Sequence, residues 1–148
     1  MRALVLAIAL TLACAAPALA HSSTTISLRC SALTTRINAY RDKNLRSLGV
    51  LCRIAHGRTH NMVAAHKIWH NLDPVVTALT RAGICWRNVG EVVAWNNYSI
   101  TASAFVRQWR RSSEHWSLLT AVRYDRGGGF FMGSPGFNVA TYYVLDLC

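Results

Sequence analysis

Between residues 26 and 40, Ile26, Cys30, Leu33, Ile37 and Tyr40 recur every three or four positions, which predicts a helix with one apolar face. The same period runs through Leu48, Leu51, Cys52, Ala55, Met62, His66 and Trp69 and predicts a second, longer helix from about Asn44 to His70. Asp73-Pro74 restarts the chain, because Pro74 suits the first turn of a short helix running to about Arg81 and closed by Gly83. Val89 to Trp95, VGEVVAW, is short and β-branched and predicts a strand that turns at Asn96-Asn97. Ser99 offers an N-cap to a helix carrying Ile100, Ala104, Phe105 and Trp109 up to about Ser113. Two β-rich runs then flank Gly133-Ser134-Pro135-Gly136, a hairpin signal. Helices first and most strands last predict an α+β sandwich rather than a parallel βαβ sheet.

The first 20 residues follow a different pattern. Arg2 precedes the apolar run ALVLAIALTLACAA, and Ala18-Leu19-Ala20 has the small-x-small form that a signal peptidase reads. The expectation is a cleaved leader over residues 1–20 and a single exported domain over residues 21–148, free in the extracellular space, in a periplasm or at the cell surface. No later run of roughly 18 apolar residues offers a membrane span. Cys14 would leave with the leader. Cys30, Cys52, Cys85 and Cys148 then form two disulfides in one of three pairings, since an oxidising compartment favours an even set of staples. The absence of C-x-x-C spacing argues against a structural zinc site or a thioredoxin-like pair.

Charge widens the range of partners without selecting one. The chain carries 16 Lys and Arg against 6 Asp and Glu; dropping Arg2 leaves 15 against 6, an excess of +9. Such an excess attracts phospholipid, cell-wall polymer and nucleic acid alike. Five Trp and many Arg permit stacking, but export and the lack of a matching motif argue against nucleic acid.

Four of the six histidines lie in AHGRTHNMVAAHKIWH. On a helix, His56 with His60 and His66 with His70 would share faces at i,i+4, a spacing that lets two imidazoles meet one metal ion. Lys67 after His66 excludes the H-E-x-x-H metalloprotease pattern. Cleavage before His21 would leave a ring and a free amine on one residue, which with a second His makes a copper-binding brace.

Met62 followed by His70, Gly90-Glu91 on a strand, and Trp109-x-x-Ser112-x-x-His115 resemble, in order and spacing, the marks of the CAP superfamily, which includes cysteine-rich secretory proteins, insect venom antigens and plant pathogenesis-related proteins; the bacterial branch is the nearest in appearance. Asn38-Ala39-Tyr40-Arg41 and Leu51 match its earlier positions, and RYDRGGGFF and TYYVLDL resemble its last two strands. Three positions depart from the pattern: Arg58 replaces a frequent His, Val92 the Asn of Gly-Glu-Asn, and Leu118 an Asn after the second His. The resemblance implies a three-layer α-β-α sandwich in which His70, Glu91 and His115 converge on one cleft, with Ser112 where many members place a second Glu.

A carboxylate between two imidazoles orients both rings, and a divalent cation such as zinc can bind between His70 and His115. Ser112 with a His and Glu91 adds a possible nucleophile, although no strained G-x-S-x-G elbow surrounds it. The first expectation is a secreted binding module that meets an anionic or lipidic ligand through the cleft and the basic surface. The alternative is a metal-assisted or general-base hydrolase using His70, Glu91 and His115.

Overall fold

The computed structural model describes residues 21–148; the predicted leader and Cys14 lie outside them. Helix α1 (Ser23–Asn38) starts where the Ser22 side chain accepts from the Thr25 N–H and buries Cys30, Leu33 and Ile37, the positions its apolar spacing selects. A two-residue strand β1 (Arg46–Ser47) leads into α2 (Gly49–Ala65), followed by α3 (Asp73–Arg81) with Pro74 in its first turn. Then come the long strand β2 (Trp86–Asn96), helices α4 (Ala102–Arg110) and α5 (Ser113–Thr120), and the hairpin of β3 (Arg126–Ser134) and β4 (Phe137–Leu147).

Two helical predictions are corrected. The helix expected over 44–70 begins at Gly49 and stops at Ala65, because His66 takes the left-handed conformation at φ 48° while Lys67 N–H bonds to Met62 O. A left-handed residue at that position ends a helix by turning its last carbonyls onto the following amides. His66 and His70 therefore share no helical face. The helix expected from Ser99 is two: Thr101 caps α4, and Ser112 caps α5 by accepting from the His115 N–H. Weak amphipathicity over eight residues hid α5 in the sequence.

The sheet is mixed, in the order β1-β3-β4-β2, with β1 parallel to β3 and the other pairs antiparallel. Alternation along β4 divides the core. Tyr142 and Val144 join Leu33, Ile37, Phe105 and Trp109 under α1, α4 and α5. Tyr143 and Leu145 join Leu51, Val75, Leu79 and Phe130 under α2 and α3. This is an α+β three-layer sandwich with two distinct interior faces. The strand-helix approach is close at Gly128, where a Cβ would stand 2.6 Å from Leu51 Cβ and 2.8 Å from the Cys52 backbone N.

Of the three possible pairings, the cysteines take Cys30–Cys52 and Cys85–Cys148. The first joins α1 to α2 and the second joins the approach to β2 to the end of β4. Among the described residues no helix is long and apolar enough to cross a membrane.

Candidate functional site

Glu91 lies on edge strand β2, its side chain only 2% exposed, on the face covered by α2. Four groups surround its carboxylate. Tyr143 donates its hydroxyl to Oε1 at 2.8 Å from the paired position on β4. Arg58, from α2, reaches the same oxygen with Nε at 3.4 Å and Nη2 at 3.3 Å. The Asn71 backbone N–H and His70 Nδ1 both meet Oε2 at 3.0 Å. Burial first and the Glu91 charge second push the Tyr143 hydroxyl well above the usual phenol range, so it stays a proton donor.

The stop at His66 makes this possible. Released from α2, residues 67–72 carry His70 back over β2, and the ring is oriented by its bond to Glu91 while the side chain stays 61% exposed. Because the carboxylate accepts, Nδ1 bears the proton of that bond. His115 comes from the first turn of α5, its ring centroid 6.3 Å from that of His70 and the planes inclined by 30°. Burial, then the neighbouring His70, lowers the His115 pKa, with Glu114 acting in the opposite sense. Its neutral, lone-pair-bearing form is favoured near neutral pH.

The structure thus brings together His70, Glu91 and His115, but not as a carboxylate flanked by two rings. Among the described residues His115 forms no hydrogen bond to Glu91; it stands beside His70. Ser112 occupies the N-cap of α5, with Oγ accepting from the His115 N–H at 3.4 Å. Its placement orients α5. For a metal ion the site offers two imidazole nitrogens, because both Glu91 oxygens are engaged internally. Among the described residues no three His, Cys, Asp or Glu side chains converge on one point. Catalytic zinc sites use three protein ligands, so these residues do not fit one.

Tyr143 was not singled out in the sequence, and Arg58 was noted there only as a departure from the family pattern, not as a partner of Glu91. Arg58 falls three residues after Ala55 and four before Met62, on the apolar stripe of α2, and a charge there signals a buried counter-charge. Its guanidinium also donates to Trp69 O at 2.7 Å and lies 5.2 Å from the Trp69 ring centroid.

Close packing of α5 depends on Gly90. A Cβ there would stand 2.8 Å from Leu118 Cδ1, on the helix that carries His115. Gly90→Ala is therefore expected to lower stability by about 1 kcal/mol and to shift the His115 imidazole resonances, because the Leu118 side chain must move. Thermal unfolding and histidine-selective NMR measure both; an unchanged His115 spectrum would show that α5 does not respond.

No protein-family model matches the sequence, and no curated protein matches it. Solved structures do match. A cysteine-rich secretory protein from Staphylococcus aureus superposes with a TM-score of 0.65 at 18% identity, over 81% of this chain and 38% of its own. An extracellular protein containing an SCP domain from Bacillus anthracis gives 0.64 at 16% identity, over 81% of this chain and 41% of its own. This chain has the SCP, or CAP, fold. An outer surface protein from Borrelia burgdorferi gives 0.65 at 17% identity, over 78% of this chain and 90% of its own. The chain spans about two fifths of the length of the first two proteins.

Within this CAP fold, Asn38 and Arg41 serve architecture. Asn38 brackets Leu45 with two 2.9 Å bonds, accepting from its N–H and donating to its carbonyl. Arg41 is buried and donates to the carbonyls of Lys43, Leu119, Ala121 and Tyr124, which fixes the segment following α5. Val92 points into the core of the opposite face from Glu91, and Leu118 packs against Gly90. Two of the three departures from the family pattern are thus apolar packing positions, while Arg58 supplies the ion pair.

Proposed function

We propose that the chain is an exported CAP-fold binding module that takes anionic headgroups on an arginine-lined face. The observation that carries this reading is a concavity of about 160 Å³ between α1 and α4, bordered by Arg36, Tyr40, Arg107 and Arg110. Arg110 Cζ lies 4.2 Å from the Tyr40 ring centroid and 5.7 Å from that of Trp116, which places its guanidinium against aromatic surface. Among the described residues none of these three arginines has an acidic partner within salt-bridge distance. Unpaired guanidiniums converging on a shallow hollow suit phosphate or carboxylate oxygens. Two disulfides fit an oxidising, extracytoplasmic location.

Vesicles of anionic phosphatidylglycerol and of neutral phosphatidylcholine provide the test. Binding is expected only to the anionic vesicles and to fall steeply with salt. At about 1 kcal/mol per basic side chain, Arg36→Gln, Arg107→Gln and Arg110→Gln together weaken it by about 100-fold. Equal binding to neutral vesicles, or a triple variant that binds as well as the parent, would refute the reading.

One observation favours hydrolysis as a second reading: Glu91 orients the His70 ring while its side chain stays 61% exposed, the arrangement of a positioned general base. In that reading His70 takes a proton from water, His115 lies beside it, and Glu91 holds the ring. Substrate turnover abolished by His70→Ala and by His115→Ala would favour it; vesicle binding that survives both substitutions favours the binding module.

A further inference from the structure

The opposite edge of the sheet holds a second group of imidazoles that the His70 site does not use. His21 immediately precedes the Ser22 cap of α1, and His56 lies on α2, where both rings pack edge-on against Phe130 of β3 at centroid distances of 5.2 and 4.7 Å. His21 Nδ1 and His56 Nε2 face each other at 3.3 Å. Two nitrogens bound at about 2.0–2.1 Å to one ion stand about 2.9 Å apart at adjacent tetragonal positions and about 3.3 Å apart in a tetrahedral site, so a small approach of the two rings meets the first and the observed spacing meets the second. The ring of His60, one turn further along α2, has its centroid 6.5 Å from that of His56. The Cys30–Cys52 disulfide ties α1 to α2 and so holds the two imidazole-bearing segments together.

We propose that His21 and His56 bind a late divalent transition-metal ion, Cu(II) most tightly, through His21 Nδ1, His56 Nε2 and the free α-amine that leader removal leaves on His21. The amine and Nδ1 of one histidine close a six-membered chelate ring, and His56 adds the third nitrogen from a separate element. This third donor distinguishes the pair from His70 and His115, which offer two. The chemistry of the donors selects the ion: imidazole and amine nitrogens with no carboxylate suit copper, nickel or zinc, not calcium or magnesium.

The exported protein, with its first residue fixed by mass spectrometry, carries His70→Ala and His115→Ala so that the other imidazole pair does not contribute. Titration with Cu(II), followed by calorimetry and by nitrogen hyperfine structure in electron paramagnetic resonance, is expected to show one tight site with three nitrogen donors. His56→Phe keeps an aromatic ring against Phe130 and removes the ligand, and Nα-acetylation of His21 removes the amine donor. Each change is expected to weaken Cu(II) binding by at least about tenfold, with the metal-free melting temperature as the check on folding. Unchanged affinity in a folded His56→Phe protein, or a first residue other than His21, would overturn the site. Neither result bears on vesicle binding.

Discussion

Glu91→Ala is expected to lower the unfolding free energy by about 3–5 kcal/mol, the cost of breaking a buried ion pair from one side. The Arg58 and Glu91 side chains are 7% and 2% exposed, so neither charge finds bulk water once the other is gone. The loss spreads further, because the Tyr143 hydroxyl and the Asn71 N–H both lose their acceptor. An unpaired buried donor costs about 1–3 kcal/mol by itself. Joint replacement by Arg58→Met and Glu91→Leu is expected to recover much of the loss, since two apolar side chains leave no orphaned charge. Urea denaturation with the disulfides intact measures both variants. A loss below about 1 kcal/mol in Glu91→Ala would mean that water replaces the carboxylate without penalty. The same variant frees His70 Nδ1, and nitrogen NMR should show the fixed tautomer replaced by a mixture.

Cys85→Ser with Cys148→Ser is expected to cost about 4 kcal/mol, because the cysteines stand 63 residues apart and the bridge removes that much loop freedom from the unfolded chain. Their positions add a local reason. The bridge closes the sheet where Trp86 on β2 pairs with Leu147 on β4, and Arg87 donates to the Cys148 carbonyl at 2.9 Å. Without it both strand ends fray together. The Cys30–Cys52 bridge, with a separation of 22, is worth about 3 kcal/mol on the same reasoning. Equilibrium unfolding of the serine variants tests the pair, and a loss under about 1 kcal/mol for Cys85 and Cys148 would show that the unfolded chain is restrained by other means.

Much of the architecture was legible because burial leaves a period in the sequence. Ile26 to Ile37 show helical spacing, Pro74 and Gly83 bracket the short helix over Asp73 to Arg81, and Gly133 to Gly136 marks the hairpin that joins β3 to β4. The eleven-residue β2 extends past the stretch VGEVVAW at its start, because pairing with β4 recruits Trp86 and the polar Asn88, with Arg87 bulged between them. The break at His66 had no local sign: a histidine there fits the apolar stripe, and only packing of the returning segment offsets a left-handed backbone.

The candidate site was legible as residue types and as a family resemblance, but not as geometry. Spacing named His70, Glu91, Ser112 and His115; it could not say that Glu91 is enclosed by Arg58, Tyr143, His70 and the Asn71 backbone, or that Ser112 serves as a helix cap. Arg58 was visible only as a departure from a pattern.

The amino-acid order by itself determined the α+β class and most element positions, because these follow from local periodicity and composition. Only the tertiary structure decided which cysteines pair, which residues engage the Glu91 carboxylate, and that His21 meets His56 across two helices. Those contacts join segments tens of residues apart, and their partners are chosen by how three layers pack against one sheet, a property that no local window of sequence contains.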